Sequence, residues 1–476
     1  MRQTIWLVST LFALIGGGMV ALPTRATPLA DETPSAASSS IFLPLVSSAP
    51  LPANPFGFNL GRRWTSELIP YADAAQPSFS RAGDLLWGKI EEQRGTYNWD
   101  DPSIQLLEAN IRALRAAGIE PMVIIQWTPP WAQSIPDTLC SPPRPEHYAD
   151  FARFAAAAAA RYSTGDLQVR YWEIWNEPDF NKDQVRPLDG TGCWANKTAP
   201  YYGGDAYGRA ISVVGPAIKR ASPDATVVAG AFAHFWPDDT VTTGFLRGMI
   251  AAGALPAFDT LSFHAYGEYG AGDRLIFKSN SLRRVLAEAG APKKPLMATE
   301  IASTCYDDGS CPPNFLQHQA NYAARIYAEA LALHLQGAMW YTLADSGVGF
   351  LRSHLIDVKD GTLTPRPAYH SFVNSSRLLQ GAHYDGPPIV EPPPDQAGVV
   401  QVLVFRKPQS TLYVVWVPKT SFPVRYDLPV PIGAAAICTD QLNTPGGQSY
   451  DCSDANRDGF VPRAVNELPQ YIEVLP

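Results

Sequence analysis

Short apolar runs alternate along most of the chain with longer stretches whose apolar residues recur every three or four positions. The short runs are typical of buried strands and the longer stretches of amphipathic helices. The predicted strands are Phe56–Leu60, Phe79–Leu86, Pro121–Gln126, Val169–Trp175, Thr226–Ala229, Thr260–Ala265, Pro295–Thr299 and Ala338–Leu343. The predicted helices are Ser103–Ala117, His147–Tyr162, Tyr207–Ala221, Leu282–Ala289, Asn314–Leu335 and Ala368–Leu379. This alternation predicts a closed (β/α)8 barrel.

The pattern changes after about Asp385. Val399–Phe405 and Thr411–Val417 alternate apolar with polar residues, and Gly, Pro and Asp interrupt the remainder. A period of two indicates strands with one buried face, so we predict a β-sandwich accessory domain at residues 385–476. The predicted fold class is therefore α/β, a TIM barrel at residues 53–384 followed by an all-β domain.

The N-terminal segment differs from both regions. Arg2 precedes an almost wholly apolar run at residues 5–22, and small residues for cleavage lie around 24–26. This pattern predicts a secretory signal peptide at residues 1–26. A single membrane anchor is the alternative, because the run is near the shortest length that spans a bilayer. Residues 27–52 are rich in Pro, Ser and Ala and predict a flexible linker.

Composition narrows the choice of partner. The chain has 476 residues with a formal net charge of -8, and 11% of the residues are aromatic. The negative charge argues against nucleic acid and acidic membrane surfaces. Abundant Trp and Tyr suit sugar rings, whose apolar faces stack on aromatic side chains. We therefore expect a carbohydrate substrate, no membrane contact after signal removal, a monomer, and a secreted or extracytoplasmic location.

Six cysteines agree with export, because disulfides persist in oxidising compartments. Several pairings are possible in principle, and free buried thiols are the alternative. We expect each cysteine to pair with its neighbour in the chain, because each pair then joins loops that the fold would place close together. The predicted pairs are Cys140–Cys193, Cys305–Cys311 and Cys438–Cys452. The spacing Cys-x-x-Cys does not occur, so no zinc site is expected.

One polar segment near the C-terminus resembles the start of a calcium loop. Asp454, Asn456, Asp458 and Gly459 match the motif, but its twelfth position is Val465 and not a carboxylate. We therefore favour a polar turn, with calcium binding as the alternative.

Two carboxylates follow apolar runs of strand type. Tyr171–Pro178 stops at Asn-Glu-Pro, and because proline cannot continue a strand ladder, Glu177 is predicted at the C-terminal tip of the fourth strand. A second run ends at Glu300, which is predicted to end the seventh strand. These tips face the substrate in a parallel barrel. Tryptophans surround Glu177 in the sequence, so we expect its carboxyl group to carry a proton at neutral pH.

Glycoside hydrolysis needs two carboxyl groups on opposite sides of the scissile bond, one protonated and one ionised. The predicted tips carrying Glu177 and Glu300 lie across the barrel mouth from one another. A separation of about 5–5.5 Å would mean retention of configuration, and about 6.5–9.5 Å would mean inversion. For either residue alone, the alternative is a carboxylate favoured by the dipole of a following helix. Glu173 is interpreted as a structural polar residue.

The surrounding motifs resemble clan A of the glycoside hydrolases over roughly residues 56–380. That clan has Asn-Glu-Pro after strand 4 and a Glu after strand 7, as at Asn176, Glu177 and Glu300 here. Other segments similar to the clan are Trp87–Glu91, Gly95–Trp99, Trp127–Trp131, Phe263–Tyr266 and Trp340–Tyr341. The chain is most similar in character to family 39 and related family 5 enzymes. The resemblance implies a retaining, mostly β-specific glycosidase on a (β/α)8 barrel.

The resemblance also implies residue roles. Glu177 would be the general acid and then the base, Glu300 the nucleophile, and Asn176 would hydrogen-bond the sugar 2-hydroxyl. The other implied substrate-binding residues are His264, Tyr266, Arg81, Trp340, Trp127 and Trp131. The histidine and tyrosine would orient the carboxylates, the arginine would stabilise the nucleophile's charge, and the tryptophans would stack on the sugar. The alternative is that the histidine and the tryptophans are ordinary core residues.

Together these features predict a secreted retaining β-glycoside hydrolase that acts on a plant or microbial polysaccharide or oligosaccharide, with no cofactor and no metal. A non-catalytic carbohydrate-binding barrel and a transglycosidase are the alternatives. The sugar, its linkage and endo or exo action depend on the loops at 128–146, 179–206, 266–280 and 302–316. The β-domain is expected to give structural support, with glycan binding as the alternative.

Overall fold

The computed structural model describes residues 55–60, 66–183, 191–235, 238–268, 274–305, 311–345, 352–390, 398–418, 420 and 422–476. The predicted signal peptide and linker lie outside these residues. Among the helices of the described ranges, none combines the length and the apolar character needed to cross a lipid bilayer.

Eight parallel strands close into a barrel in chain order, with the last strand pairing with the first. These strands are β1 Phe56–Asn59, β2 Phe79–Leu86, β3 Glu120–Gln126, β4 Tyr171–Ile174, β5 Thr226–Phe232, β6 Thr260–Glu268, β7 Leu296–Thr304 and β8 Gly337–Trp340. Each overlaps one predicted strand, so the predicted barrel is confirmed. The apolar runs were easy to recognise because strands of a parallel barrel are buried on both faces.

The helices of the described ranges are α1 Ile69–Ala74, α2 Trp87–Ile90, α3 Pro102–Ala116, α4 Tyr148–Arg161, α5 Gly204–Ala221, α6 Thr240–Ala251, α7 Leu275–Glu288, α8 Phe315–Ala332 and α9 Pro367–Leu378. The six predicted helices correspond to α3, α4, α5, α7, α8 and α9. Helix α6 was not predicted, because its Thr-rich start and internal glycines lower helix propensity. Close packing compensates: a Cβ added at Gly204 of α5 would lie 1.9 Å from the Phe245 carbonyl oxygen of α6.

Apolar side chains close the barrel at the N-terminal ends of its strands. Tyr171 packs edge-on against Phe79 there, with 5.1 Å between ring centroids. The buried members of this cluster are Phe79, Met122, Val228, Met297 and Met339. Hydrocarbon therefore fills the barrel interior at this end, and the interior is left to polar side chains at the opposite end, where the βα loops emerge.

The C-terminal region contains antiparallel sheets. A hairpin, β9 Ile356–Lys359 with β10 Thr362–Pro365, follows the barrel. The next strands are β11 Gln401–Lys407, β12 Ser410–Trp416, β13 Val424–Pro429, β14 Ala436–Asp440, β15 Gln448–Asp451, β16 Phe460–Val465 and β17 Gln470–Val474. They form a five-stranded sheet in the order β11-β12-β17-β14-β15 and a two-stranded sheet of β13 with β16. One apolar cluster joins Val415 and Ile472 of the first sheet to Leu428 and Val461 of the second, as expected of a sandwich.

The β-domain and the barrel helices share a hydrophobic core. Phe405 and Leu412 belong to the same apolar cluster as residues of α8 and α9. The hydroxyl group of Tyr471 donates a hydrogen bond to the carbonyl oxygen of Ala324 in α8 at 2.7 Å. This packing agrees with the predicted structural role of the β-domain.

We expect Phe405→Ala to lower the free energy of unfolding by about 3–5 kcal/mol, because truncating a buried phenylalanine leaves a cavity. Phe405 is fully buried at this shared core, whereas its neighbour Val404 is 44% exposed. Val404→Ala on the same strand is the matched control and should change stability by no more than about 0.5 kcal/mol. Chemical denaturation measures both values, and equal losses in the two variants would contradict the shared core.

The Asp454 segment forms a hydrogen-bonded turn. The carboxylate of Asp454 accepts hydrogen bonds from the backbone N–H groups of Gly433 at 2.7 Å, Gly459 at 3.0 Å and Asp458 at 3.1 Å. Backbone donors therefore occupy both carboxylate oxygens, which agrees with the polar-turn interpretation.

The six cysteines form the three predicted disulfides, Cys140–Cys193, Cys305–Cys311 and Cys438–Cys452. The first joins the segments that follow β3 and β4, so it links two loops on the polar side of the barrel. The third lies inside the β-domain, beside β14 and β15.

Candidate active site

The segment after β4 turns Glu177 toward the barrel mouth. The strand ends at Ile174, earlier than predicted, and Trp175 and Glu177 adopt left-handed backbone angles of φ 71° and φ 49°. Such angles are uncommon for residues other than glycine and concentrate at functional sites. The indole N–H of Trp175 donates to the Gly192 carbonyl oxygen at 2.9 Å, which fixes the buried ring on the loop side.

Glu300 lies inside β7, which continues to Thr304, so the prediction that this residue ends the strand is wrong. The pairing of β6 with β7 shifts at this point: Phe263 pairs with Ala298, but His264 pairs with Glu300. The intervening Thr299 is an extra residue in β7, and such irregularities re-aim side chains near functional sites. The strand continues past Glu300, and the residues that follow it are also buried.

Two donors bind the carboxylate of Glu300. A guanidinium nitrogen of Arg81 in β2 donates to one oxygen, and the hydroxyl group of Tyr266 in β6 donates to the other. A cation and a hydroxyl donor both stabilise the ionised form of a carboxylate. Burial and the Glu300 charge raise the pKa of Tyr266 well above its ordinary value, so its phenol stays protonated and remains a donor.

A second buried carboxylate, that of Glu173, balances the positive charge of Arg81. Glu173 is fully buried in β4 and lies 2.7 Å from the guanidinium group. Ser262 and Thr299 donate hydrogen bonds to its second oxygen at 2.7 and 2.9 Å. Burial opposes the arginine charge, but Glu173 and Glu300 outweigh it and raise the pKa of Arg81 above its ordinary value. Glu173 is thus the structural polar residue that was predicted, and it holds the arginine in place.

Two polar side chains contact the Glu177 carboxylate. His264 Nδ1 lies 2.8 Å from one oxygen, and the Thr191 hydroxyl group donates to the other at 2.9 Å. Burial acts to raise the pKa of Glu177, but the hydrogen bond and charge of His264, followed by Thr191, lower it below the ordinary value. The expectation that this group carries a proton at neutral pH is therefore contradicted for the free protein.

His264 stands between the two carboxylates. It is fully buried, and its Nδ1 atom also lies 3.3 Å from Glu300. This nitrogen and one oxygen each of Glu177 and Glu300 all lie within 4.8 Å of one another. Such donor atoms can bind a divalent cation, but the guanidinium group of Arg81 beside Glu300 opposes a second positive charge there. The two carboxyl groups therefore face each other across one narrow gap.

The amide of Asn176 is held at both ends. Its oxygen accepts a hydrogen bond from Arg81 at 3.0 Å, and its nitrogen donates to the Thr191 hydroxyl group at 3.0 Å. An amide nitrogen carries two hydrogens, so one remains for another acceptor. Asn176 is therefore oriented next to Glu177 with a donor to spare.

The three tryptophans differ in position. Trp340 is fully buried and donates its N–H to the Ser353 carbonyl oxygen at 2.8 Å, so it has no exposed ring face for a sugar and fits the core alternative. Trp131 packs edge-on against Trp87 at 5.8 Å between ring centroids. Trp127 follows β3 directly and is only half-buried, with a left-handed φ of 68°. Trp131 is half-buried as well, so these two side chains, unlike Trp340, retain exposed surface.

Two residues at this site were given no role by the sequence analysis. Tyr341 directly follows β8, is half-buried, and places its ring 6.0 Å from that of Tyr266 in an edge-on contact. Trp340 and Tyr341 are adjacent, and side chains of a strand alternate between faces, so the register decides which ring reaches the mouth. Thr191 comes from a loop, where neither periodicity nor a motif signals its position.

Comparison with known proteins gives the fold. No protein-family model matches the chain, and no curated protein sequence matches it. A family 30 subfamily 8 xylanase from Clostridium acetobutylicum matches with a TM-score of 0.60 at 12% identity, over 89% of this chain and 96% of that chain. A glucosidase from Croceicoccus marinus matches with a TM-score of 0.58 at 14% identity, over 90% and 96%. An α-L-arabinofuranosidase from Thermotoga maritima matches with a TM-score of 0.57 at 12% identity, over 90% and 97%.

These matches extend over both the barrel and the β-domain, and they confirm the fold that the clan resemblance implies. At such low sequence identity, these matches show the fold and nothing about activity. One of the three belongs to family 30, so a special likeness to family 39 or family 5 stays a prediction.

Proposed function

We propose that this protein is a secreted glycoside hydrolase that cleaves β-linked plant or microbial polysaccharides or oligosaccharides with retention of configuration. The observation that carries the proposal is the short gap between one oxygen each of Glu177 and Glu300, within 4.8 Å. Carboxyl separations of about 5–5.5 Å belong to double displacement, and inversion needs about 6.5–9.5 Å. The xylanase, glucosidase and arabinofuranosidase with the same fold support a glycoside as the substrate.

In the first step, Glu300 attacks the anomeric carbon while Glu177 gives its proton to the departing glycosidic oxygen. Arg81 and Tyr266 donate hydrogen bonds to the attacking carboxylate and align it. The free N–H of Asn176 would donate to the sugar 2-hydroxyl, and this bond strengthens as positive charge grows on the ring. Trp127 and Tyr341 are the aromatic side chains that would border the sugar.

In the second step, Glu177 removes a proton from water, and the resulting hydroxide displaces Glu300 from the anomeric carbon. The sugar leaves with its original configuration, and both carboxyl groups return to their starting states. Glu177 gave up its proton in the first step and is therefore ionised when it acts as the base. Because the acid step requires the protonated form of Glu177, the lowered pKa of this group in the free protein predicts an acidic optimum for kcat/KM.

We expect His264→Ala to move the alkaline limb of the kcat/KM profile to higher pH. Burial raises the pKa of Glu177 and the His264 contact lowers it, so removing the contact leaves the raising effect. The acid then keeps its proton to a higher pH. The profile is measured on an unactivated oligosaccharide, which needs a proton at the leaving oxygen.

Thr191→Val is the matched control for this shift. It removes the smaller of the two hydrogen-bond contributions to the lowered pKa of Glu177, so the limb should move in the same direction by less. A limb that stays in place, or moves to lower pH, in His264→Ala would contradict the proposed control of the acid by His264.

Substrate screening tests the proposed hydrolysis. The full chain is assayed on nitrophenyl glycosides and on xylan, glucan, mannan and arabinan, and ¹H NMR follows the anomeric form of the first product. We expect a β-configured first product. An α-configured product would exclude the nucleophile role of Glu300.

Two outcomes would favour the alternatives. Transfer of the sugar to an added acceptor in place of water identifies a transglycosidase that uses the same residues. Binding without turnover across the whole glycan panel identifies a non-catalytic carbohydrate-binding barrel.

Export is the remaining part of the proposal. The described cysteines form three disulfides, which persist in oxidising compartments. The sequence supplies an apolar segment of signal type at residues 5–22. N-terminal sequencing of the protein recovered from the culture medium should find a chain that starts near residue 27, whereas a retained apolar segment would identify an anchor.

A further inference from the structure

A second recess lies on the loop side of the barrel, apart from the residues that contact the catalytic carboxylates. It has a volume of about 560 Å³, and its lining residues come from the ranges 134–148, 181–183 and 193–209. The Cys140–Cys193 disulfide joins the first range to the last. We call it the outer pocket. Ligand sites commonly have volumes of about 300–1,000 Å³.

The outer pocket contains two donors, one of which is buried without an acceptor among the described residues. Tyr148 lines the pocket and is only 7% exposed, and burial raises the pKa of its hydroxyl group above the ordinary value, so the phenol remains a hydrogen-bond donor. The ring of Trp194, which also lines the pocket, lies 6.3 Å from that of Tyr148, and its indole N–H is buried without a partner. Unsatisfied buried donors are costly, so each such group calls for a ligand or a special role.

The remaining walls favour a neutral ligand with both apolar and hydroxyl surfaces. Ile135, Pro142 and Pro143 supply hydrocarbon on one side. On the other side, Arg209 pairs with Asp205 at 2.8 Å. The other charged lining residues are also of both signs, so neither sign dominates: Lys182, Lys197 and Asp183. A sugar ring combines apolar C–H faces with a rim of hydroxyl groups and therefore matches both features.

The outer pocket is continuous with the loop that carries the acid. The backbone N–H of Ala195, a lining residue, donates to the carbonyl oxygen of Pro178 at 3.1 Å, one residue after Glu177. Cys193, another lining residue, donates to Phe180 at 2.7 Å. A ligand in the outer pocket would thus sit on the same loop as the catalytic residue.

We propose that the outer pocket is a second carbohydrate-binding site, which holds a neutral oligosaccharide segment beside the catalytic mouth. The choice of a carbohydrate as ligand rests on the proposed glycosidase function. The evidence for the pocket comes from its own lining residues and does not depend on that function, so either proposal can fail without the other.

Calorimetric titration of the full chain tests the inference. In a Glu300→Gln background, which prevents turnover, xylohexaose, cellohexaose and mannohexaose are titrated in separate experiments. We expect two binding events for at least one of them. Tyr148→Phe should weaken one event by about three- to ten-fold, as expected for one hydrogen bond, and Ala199→Trp at the rim should remove it.

Two control variants match these changes outside the pocket. Tyr201 is 41% exposed and Ala149 lies on the exposed face of α4, and neither lines the outer pocket. Tyr201→Phe and Ala149→Trp should leave both binding events unchanged. Thermal unfolding checks that every variant is folded. If Ala199→Trp does not fold, the result for Tyr148→Phe alone tests the second site.

A single binding event in the parent, an affinity that Tyr148→Phe leaves unchanged, or no binding of any hexasaccharide overturns the second site. Turnover of nitrophenyl glycosides by the unmodified chain is scored separately. Turnover without a second event refutes the pocket alone, whereas pocket-dependent binding without turnover refutes the hydrolase function and leaves the pocket in place.

Discussion

Glu300→Ala should lower kcat by about 10⁵-fold or more on every substrate, the largest effect we expect of any single change. The variant has no group that can form the covalent intermediate, so both steps of the double displacement are lost. The other residues proposed to bind the sugar are unchanged in this variant, so KM should change far less than kcat. Steady-state kinetics on an activated aryl glycoside provides the measurement.

The variant should still fold, because removal of Glu300 does not leave Arg81 unpaired. Glu173 lies 2.7 Å from the same guanidinium group and balances its charge. Breaking a buried ion pair completely is strongly destabilising, and this second carboxylate avoids that outcome. Near-ultraviolet circular dichroism should therefore match that of the parent protein.

Azide provides the decisive control for Glu300→Ala. The truncated side chain leaves room for a small anion on the face that the carboxylate occupied, and Glu177 can still protonate the leaving group. Turnover should return with azide and yield an α-linked glycosyl azide. Activity that persists without azide, or a β-linked azide, would assign the nucleophile to another residue.

The strands, the principal helices and the clustering of Arg81, His264 and Tyr266 around Glu300 could be anticipated from the chain alone. Continuous apolar runs mark the strands of a buried parallel barrel, and each of these side chains lies on or next to such a run. Parallel strands bring their polar residues to the same end, so locating the strands was enough to bring distant residues together.

Features set by register could not be anticipated in the same way. The shift at Thr299 re-aims Glu300 and lets β7 continue, yet no local residue preference marks it. The choice between Trp340 and Tyr341 depends on one position along β8. Helix α6 was missed for a related reason, since its stability comes from packing against α5 and not from its own propensity.

The expected protonation of Glu177 failed because the two polar groups that contact its carboxylate come from distant parts of the chain. Trp175 turns its ring to the loop side, while His264 from β6 and Thr191 from a loop contact the carboxylate. Both partners stabilise the charged form, and this outweighs burial. Only the tertiary arrangement reveals which of these influences is larger.

Glu177→Gln should lower kcat/KM by about 10²–10⁴-fold on substrates with poor leaving groups, the usual contribution of general acid catalysis. Dinitrophenyl glycosides should lose far less, because their leaving group departs without a proton. A series of aryl glycosides with increasing leaving-group pKa measures this dependence. Equal losses along the series would contradict the acid role.

Glu177→Ala distinguishes the roles of the two carboxylates, because the azide product of this variant should have a different configuration from that of Glu300→Ala. With an activated substrate, Glu300 still forms the glycosyl-enzyme, which then accumulates because no base activates water. Azide needs no base and should attack this intermediate from the Glu177 side to give a β-linked azide, the opposite of the product expected from Glu300→Ala. Since the carboxyl oxygens lie within 4.8 Å across one gap, only opposite faces of the sugar distinguish their roles. The same azide anomer from both variants would mean that the two residues do not act on opposite faces, and the double displacement would be excluded.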